Sequence, residues 1–216
     1  DAATKEGRTV LYVSHNMNTI RQLCDRCIVM DKGKIIFTGD VEEAIGIYMK
    51  NSEDDRLVYD YTNIARSPNE SRKLQLLGAE ILADANKVKK GEHLPLKLSC
   101  YANDTAENIG IRFELFYLDD SVVGTMFSDE KVSANKGEKI DLLMSLDTTN
   151  FAPGKYKVVA LTYEYNEYGH QVGVDRVSPA LCFEVLSENV TDLVWLHQYW
   201  GHVRFNDMVI KQVKRG

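Results

Sequence analysis

Lys155–Tyr165, KYKVVALTYEY, follows Ala152-Pro153-Gly154, and the rest of the chain is organised around it. Side chains alternate across a strand. Tyr156, Val158, Ala160 and Thr162 therefore line one face, and Val159, Leu161, Tyr163 and Tyr165 the other. Both faces are largely apolar, whereas a strand with one wet face alternates apolar with polar. This strand belongs in the middle of a sheet. One face lies on a core and the other on a ligand or another piece of chain.

The same period runs through the flanking sequence from Leu74 onward. Leu77, Ala79 and Ile81 open a strand, and Leu94, Leu96, Leu98 and Cys100 alternate with polar residues in the next. Pro95 near its start suits a sheet edge. Ile109, Ile111, Phe113 and Leu115 form the apolar side of a third strand, and Val122–Phe127 follows the Asp119-Asp120-Ser121 turn. Ile140, Leu142, Met144 and Leu146 form another, and Leu181, Phe183 and Val185 close the series. About seven short strands with turn signals between them predict an immunoglobulin-like β-sandwich. Pro153-Gly154-Lys155-Tyr156 fits a tyrosine corner, in which a Tyr hydroxyl returns to nearby backbone. The Cys…Trp…Cys signature of antibody domains is absent, because Trp195 and Trp200 lie beyond the last clear strand.

The first fifty residues read differently. Thr9–Val13 is a short apolar, β-branched run, predicted as a buried strand and ending in Ser14-His15-Asn16. Met17, Ile20 and Leu23-Cys24 mark one face of a helix, and Cys27–Met30 is a second strand. Asp31-Lys32-Gly33-Lys34 is a tight turn into a third strand over Lys34–Phe37. Asp40 is a good N-cap for the next helix, with Glu43 at capping-box spacing and Ala44, Ile45 and Tyr48 as its apolar stripe. The polar, charge-rich stretch 52–73 reads as a linker in which Leu57–Tyr59 and Tyr61 make a short edge contact. The expected organisation is an α/β unit over 1–51, the linker, and the sandwich over 74–216.

Composition narrows the function classes. The 216 residues carry a net charge of -6, with 44% hydrophobic and 27% charged residues, ordinary for a soluble globular protein. No basic stripe exists to neutralise phosphates, so a nucleic-acid partner is not expected. Lys211, Lys214 and Arg215 read as a solvated tail. No apolar run approaches the roughly 20 residues of a membrane span, and no signal-peptide pattern opens the chain. Cys24-Asp25-Arg26-Cys27 has CxxC spacing but no second ligand pair beside it, so no metal site is expected. Cys100 and Cys182 sit in strand patterns as small buried hydrophobes, and reduced thiols fit a cytoplasmic setting. GxSxG and HExxH are absent. The acid pairs Asp119-Asp120 and Asp129-Glu130 fall in turns and read as solvated rather than catalytic.

The outer face of the central strand is the candidate site. If Tyr156, Val158 and Ala160 face the core, then Arg112, Glu114 and Phe116 point outward beside Tyr163 and Tyr165. Aromatic faces stack on the C–H faces of sugar rings, while carboxylate and guanidinium groups bind hydroxyls. The alternative is that this face is covered by chain, for which Val190–Val213, with Trp195, Leu196, Tyr199 and Trp200, is a candidate.

TVLYVSHNM (9–17), CDRCIVMDKGKI (24–35) and TGDVEEAI (38–45) resemble the end of an ABC-transporter nucleotide-binding domain. The resemblance implies that His15 is the switch histidine of a parent ATPase, which works with ATP and Mg²⁺. The chain contains no GxxxxGK[ST] phosphate loop, so no ATPase activity is expected of it alone, and Asp1 reads as a cut within a longer chain. FAPGKYKV (151–158) and DRVSPALCFEV (175–185) are similar to the sandwich of Wzt-type ATP-binding subunits of O-antigen and related polysaccharide exporters. That resemblance implies a cytoplasmic, homodimeric module, peripheral to the inner membrane. It would bind O-antigen polysaccharide, couple it to the permease subunit, and carry no cofactor of its own. The competing reading is a structural dimerisation or regulatory domain of an ABC ATPase without glycan affinity.

Overall fold

The computed structural model describes residues 9–14, 17–51, 55–187, 194–206 and 208–212. A small α/β unit comes first, comprising α1 (Met17–Leu23), β1 (Cys27–Asp31), β2 (Lys34–Gly39) and α2 (Val41–Asn51). β1 and β2 pair as a hairpin. Lys32 and Gly33 at its tip both have positive φ, 47° and 78°, which matches the turn twist to the strand twist. Asp40 caps α2, its Oδ1 accepting from the Glu42 and Glu43 N–H groups at 2.8 and 3.2 Å. Met17, Ile20 and Ile45 form a separate core, with Cys24, Cys27, Val41 and Tyr48 packed on it. Two expectations fail here. Thr9–Ser14 forms no strand, and Val10, Leu11 and Val13 are exposed, because no described strand offers a ladder to pair with. Leu23 also turns to solvent rather than onto the α1 stripe.

The sandwich follows as β3 (Val58–Asp60), β4 (Leu74–Ile81), β5 (Lys87–Lys89), β6 (His93–Ala102), β7 (Ala106–Tyr117), β8 (Val122–Phe127), β9 (Val132–Ala134), β10 (Lys139–Asp147), β11 (Gly154–Tyr165) and β12 (Gln171–Leu186). One sheet has the order β10-β6-β4-β3. The other runs β5-β12-β11-β7-β8, with β9 on the far end of β7. Leu94, Leu96, Leu98 and Cys100 of β6 meet Ile109, Ile111, Phe113 and Leu115 of β7 and Tyr156, Val158 and Ala160 of β11 in one core. β4 departs from the alternation expected of it. A bulge between Leu76 and Gly78 shifts its register, so Leu74 and Leu76 join Ala79 and Ile81 in the core while Leu77 is half-buried.

The stretch read as linker is woven into this sandwich. β3 pairs with β4. Tyr61 is buried and its hydroxyl donates to the Ala180 carbonyl at 2.7 Å. The Tyr59 hydroxyl accepts from the Cys182 N–H at 3.1 Å. Arg66 Nε lies 2.9 Å from Asp175 Oδ1, with side chains only 3% and 0% exposed. The remaining Arg66 nitrogens donate to the Ile64 and Leu76 carbonyls, and Asp175 Oδ2 accepts from the Leu76 N–H at 2.8 Å. Burial pushes the Asp175 carboxyl pKa up, against the opposing pull of that N–H and of Arg66. The expected tyrosine corner is present: the Tyr156 hydroxyl donates to the Ala152 carbonyl at 2.6 Å.

Removing one partner of a buried ion pair strands the other charge and costs about 3–5 kcal/mol. Arg66→Met and Asp175→Leu should each lower stability in urea titrations by that order, and the double substitution should recover most of the loss. Tyr156→Phe deletes one buried hydrogen bond and should cost about 1–2 kcal/mol in the same assay.

Candidate functional site

β11 presents Val159, Leu161 and Tyr163 to the outer face of the larger sheet, and all three are buried. Register explains how. Leu161 sits between Arg112 of β7 and Arg176 of β12, and Val159 sits opposite Glu114. Glu114 binds both arginines, Arg112 at 2.8 Å and Arg176 at 3.5 Å. Arg112 also donates to Gln171. The long arginine stems thus lie over the apolar strand while their heads form a hydrogen-bonded row above it. Lys157 pairs with Asp120 further along the same face.

Tyr163 is held differently. It lies opposite Gly110, and any Cβ at Gly110 would run into the Tyr163 ring. Its hydroxyl bonds Lys131 Nζ at 2.6 Å, and Phe127 packs edge-on at 5.9 Å. Tyr163 is a floor residue with little surface for a ligand. Tyr165, edge-on to it at 5.8 Å, is 57% exposed.

Beside Tyr165 an open cleft of about 700 Å³ is lined by Lys73, Thr105, Glu107, Asn108, Lys131, Glu164 and Tyr165. Lys73 and Glu164 pair across it at 2.6 Å. Two lysines offset two glutamates, so the cleft has many hydrogen-bonding groups and no net charge. That suits uncharged hydroxylated ligands better than polyanions.

The five candidate residues thus share one sheet face but fall into three settings. Arg112 and Glu114 belong to the charged row, Phe116 is half-buried toward its far end, Tyr163 is the floor, and Tyr165 borders the cleft. His15 lies outside the described residues. Sequence alternation could not find Lys73, which lies in the stretch read as linker, or Lys131, which lies in a turn. Glu164 was the available signal: a carboxylate ending the apolar face of β11.

Of the proposed cover, Val190–Val213, residues 194–206 lie elsewhere, and residues 190–193, 207 and 213 are outside the described residues. Residues 194–206 dock on the β10–β11 loop through the Phe151–Val203 bridge, while Tyr199, Phe205, Met208 and Ile210 stay exposed. Backbone complementarity to 150–152 directs this segment to the end of the sandwich. Asp119 also corrects an expectation. It is buried, accepts from the Ser121 N–H at 2.9 Å and faces Arg21 of α1 at 3.7 Å. Among the described residues no cluster of three or more His, Cys, Asp or Glu could hold a metal. No described helix is long and apolar enough to cross a membrane.

No family model matches the chain. The structure is similar to a crystal structure of the C-terminal domain of wzt, with a TM-score of 0.53 and 11% identity over 71% of this chain and 91% of that one. This shows a shared fold. In sequence, the chain is 38% identical over 50 residues to the teichoic acids export ATP-binding protein TagH of Lactiplantibacillus plantarum, covering 23% of this chain and 14% of TagH. It is 35% identical over 68 residues to the methionine import ATP-binding protein MetN of Streptomyces avermitilis, covering 26% and 20%. The peptidoglycan transport ATP-binding protein YejF of Agrobacterium fabrum is 42% identical over 43 residues, covering 20% and 8%. The chain thus spans a fifth or less of the length of these relatives. The resemblance to a Wzt-type C-terminal portion agrees with both comparisons.

Burial separates the two tyrosines. Tyr163→Ala empties a packed position and should lower unfolding stability by about 3 kcal/mol. Tyr165→Ala, on the surface, should stay within about 0.5 kcal/mol. Paired denaturant melts check both.

Proposed function

We propose that this chain is the C-terminal portion of an ATP-binding subunit of an ABC-type polysaccharide exporter, and that its sandwich recognises the exported glycan. The observation carrying the reading is the pairing of two likenesses in one chain. One is similarity to ABC ATP-binding proteins, among them TagH. The other is a fold shared with the wzt C-terminal domain. Sheets ordered β10-β6-β4 and β12-β11-β7-β8, with a tyrosine corner at Tyr156, support an immunoglobulin-like topology. In this reading the α/β unit is the end of the nucleotide-binding domain. ATP and Mg²⁺ belong to the parent subunit, with His15 reaching the γ-phosphate.

The glycan binds along the outer face, from the Arg112–Glu114 row and Phe116 to the cleft. There Tyr165 supplies a stacking surface and Lys73, Glu164 and Asn108 supply hydroxyl partners. Tyr163 acts by holding Tyr165 and Lys131 in place. An O-antigen-type polysaccharide is the ligand class. The subunit works as a homodimer on the cytoplasmic side of the inner membrane, attached through its permease partner.

The test is affinity electrophoresis of the chain against the polysaccharide exported by its own source cell. The parent should be retarded. Tyr165→Ala and Glu164→Gln, both folded, should lose most of the retardation, because stacking and a charged hydrogen bond each contribute about 1–3 kcal/mol. A parent chain that migrates unchanged at saturating polymer defeats the glycan reading and favours a purely structural domain.

A further inference from the structure

The larger sheet ends in β8, and the two sides of β8 differ. Val123 and Met126 are partly buried and pack on the core. Thr125 and Phe127 lie opposite Glu114 and Arg112 of β7, so they share the outer face with the charged row. Phe127 is 56% exposed. A single exposed Phe is ordinary on a protein surface. This one belongs to a cluster. Its ring meets Tyr163 at 5.9 Å and 88°, and Tyr165 meets Tyr163 at 5.8 Å and 89°. Tyr163 is therefore the buried centre of three rings, with Phe127 and Tyr165 as its two open flanks. Lys131 closes the centre, its Nζ 4.1 Å from the Tyr163 centroid and 5.6 Å from that of Tyr165.

Each open ring has its own polar neighbours. Phe127 shares its part of the face with Arg112, Glu114 and the exposed Thr125. Tyr165 borders the cleft with Lys73, Asn108 and Glu164. A sugar residue takes an aromatic surface for its C–H face and hydrogen-bonding groups for its hydroxyls. Both ends of the cluster supply both. A single sugar cannot use both ends, because the closed Tyr163–Lys131 pair joined by a 2.6 Å hydrogen bond stands at the centre.

We propose that Phe127 is a second stacking platform and that the site takes an extended run of sugar residues, one seated on Phe127 and another on Tyr165. This rests on the glycan reading above and adds to it a contact residue and a ligand length. Phe127 thereby joins the charged row to the cleft in one continuous track across β8, β7 and β11. Once one platform is occupied, the second contact is intramolecular, so a fragment long enough to span both rings binds more tightly than one that reaches a single ring.

The test uses the intact polysaccharide exported by the source cell and fragments of it of graded length. Calorimetry gives their affinities for the full chain, and denaturant melts check that each variant is folded. Parent affinity should climb with fragment length until both rings are spanned. Phe127→Ala should weaken binding of the intact polymer by about tenfold and flatten the climb with length. Phe127→Leu keeps apolar bulk without a flat ring and should lose binding in the same way, whereas Phe127→Tyr should keep it. Leu143→Ala, also exposed but on β10 of the smaller sheet, should match the parent. Undiminished binding by folded Phe127→Ala or Phe127→Leu overturns the second platform and leaves the glycan reading in place. So does a parent that binds the shortest fragment as tightly as the longest. A parent that binds neither polymer nor fragments overturns both.

Discussion

A strand with no polar face has to be kept from water twice, and β11 is such a strand. Its inner side is closed by the four-stranded sheet, where the leucines of β6 meet Tyr156 and Val158. Among the described residues no second sheet covers its outer side. The six-stranded layer closes it with its own side chains: arginine stems over Leu161 and Val159, and Tyr163 laid flat on Gly110. What looks like an exposed aromatic patch in the sequence is thereby converted into a sealed floor with a charged upper surface. That leaves ligand-accessible aromatic surface at the end of the strand, where Tyr165 emerges beside the cleft.

Much of the sandwich was legible because period-2 alternation is a strong signal wherever one face is dry. β7, β8 and β10 lie where the pattern put them, and the Pro-Gly-Lys-Tyr corner forms its hydrogen bond, whereas β6, for which Pro95 suggested a sheet edge, is paired on both sides, with β10 and β4. Alternation fails where a bulge inserts an extra residue, as at Leu76–Gly78 in β4. It is also blind to long-range polar closure. Nothing in the composition of SPNESRK says that Arg66, just before it, pairs with a carboxylate 109 residues away. The α/β unit shows the opposite limit. Its turn and cap are local and form as read, whereas Thr9–Val13 has strand composition but no strand partner among the described residues, and composition alone does not make a ladder.

The candidate site was legible as a face and not as a cleft. The alternation rule orients side chains but says nothing about which lie down and which stand up. Tyr163 and Tyr165 are equivalent by period, yet Gly110 makes room for one of them alone. The cationic members come from segments without periodicity. Lys73 is placed by β4 and Lys131 by the turn before β9, so only the folded chain brings them to Tyr165.

The buried link between Arg66 and Asp175 and the one between Tyr61 and Ala180 span 109 and 119 residues. Contacts of that sequence separation form late, because the entropy of closing the intervening loop has to be met before they contribute. During synthesis β3 and β4 emerge first and wait, with a stranded guanidinium and open strand edges, until β12 has been made. Folding of this sandwich is therefore a whole-domain event rather than a stepwise one. The nascent chain presents unpaired edges, the species that aggregates, until its last strand arrives.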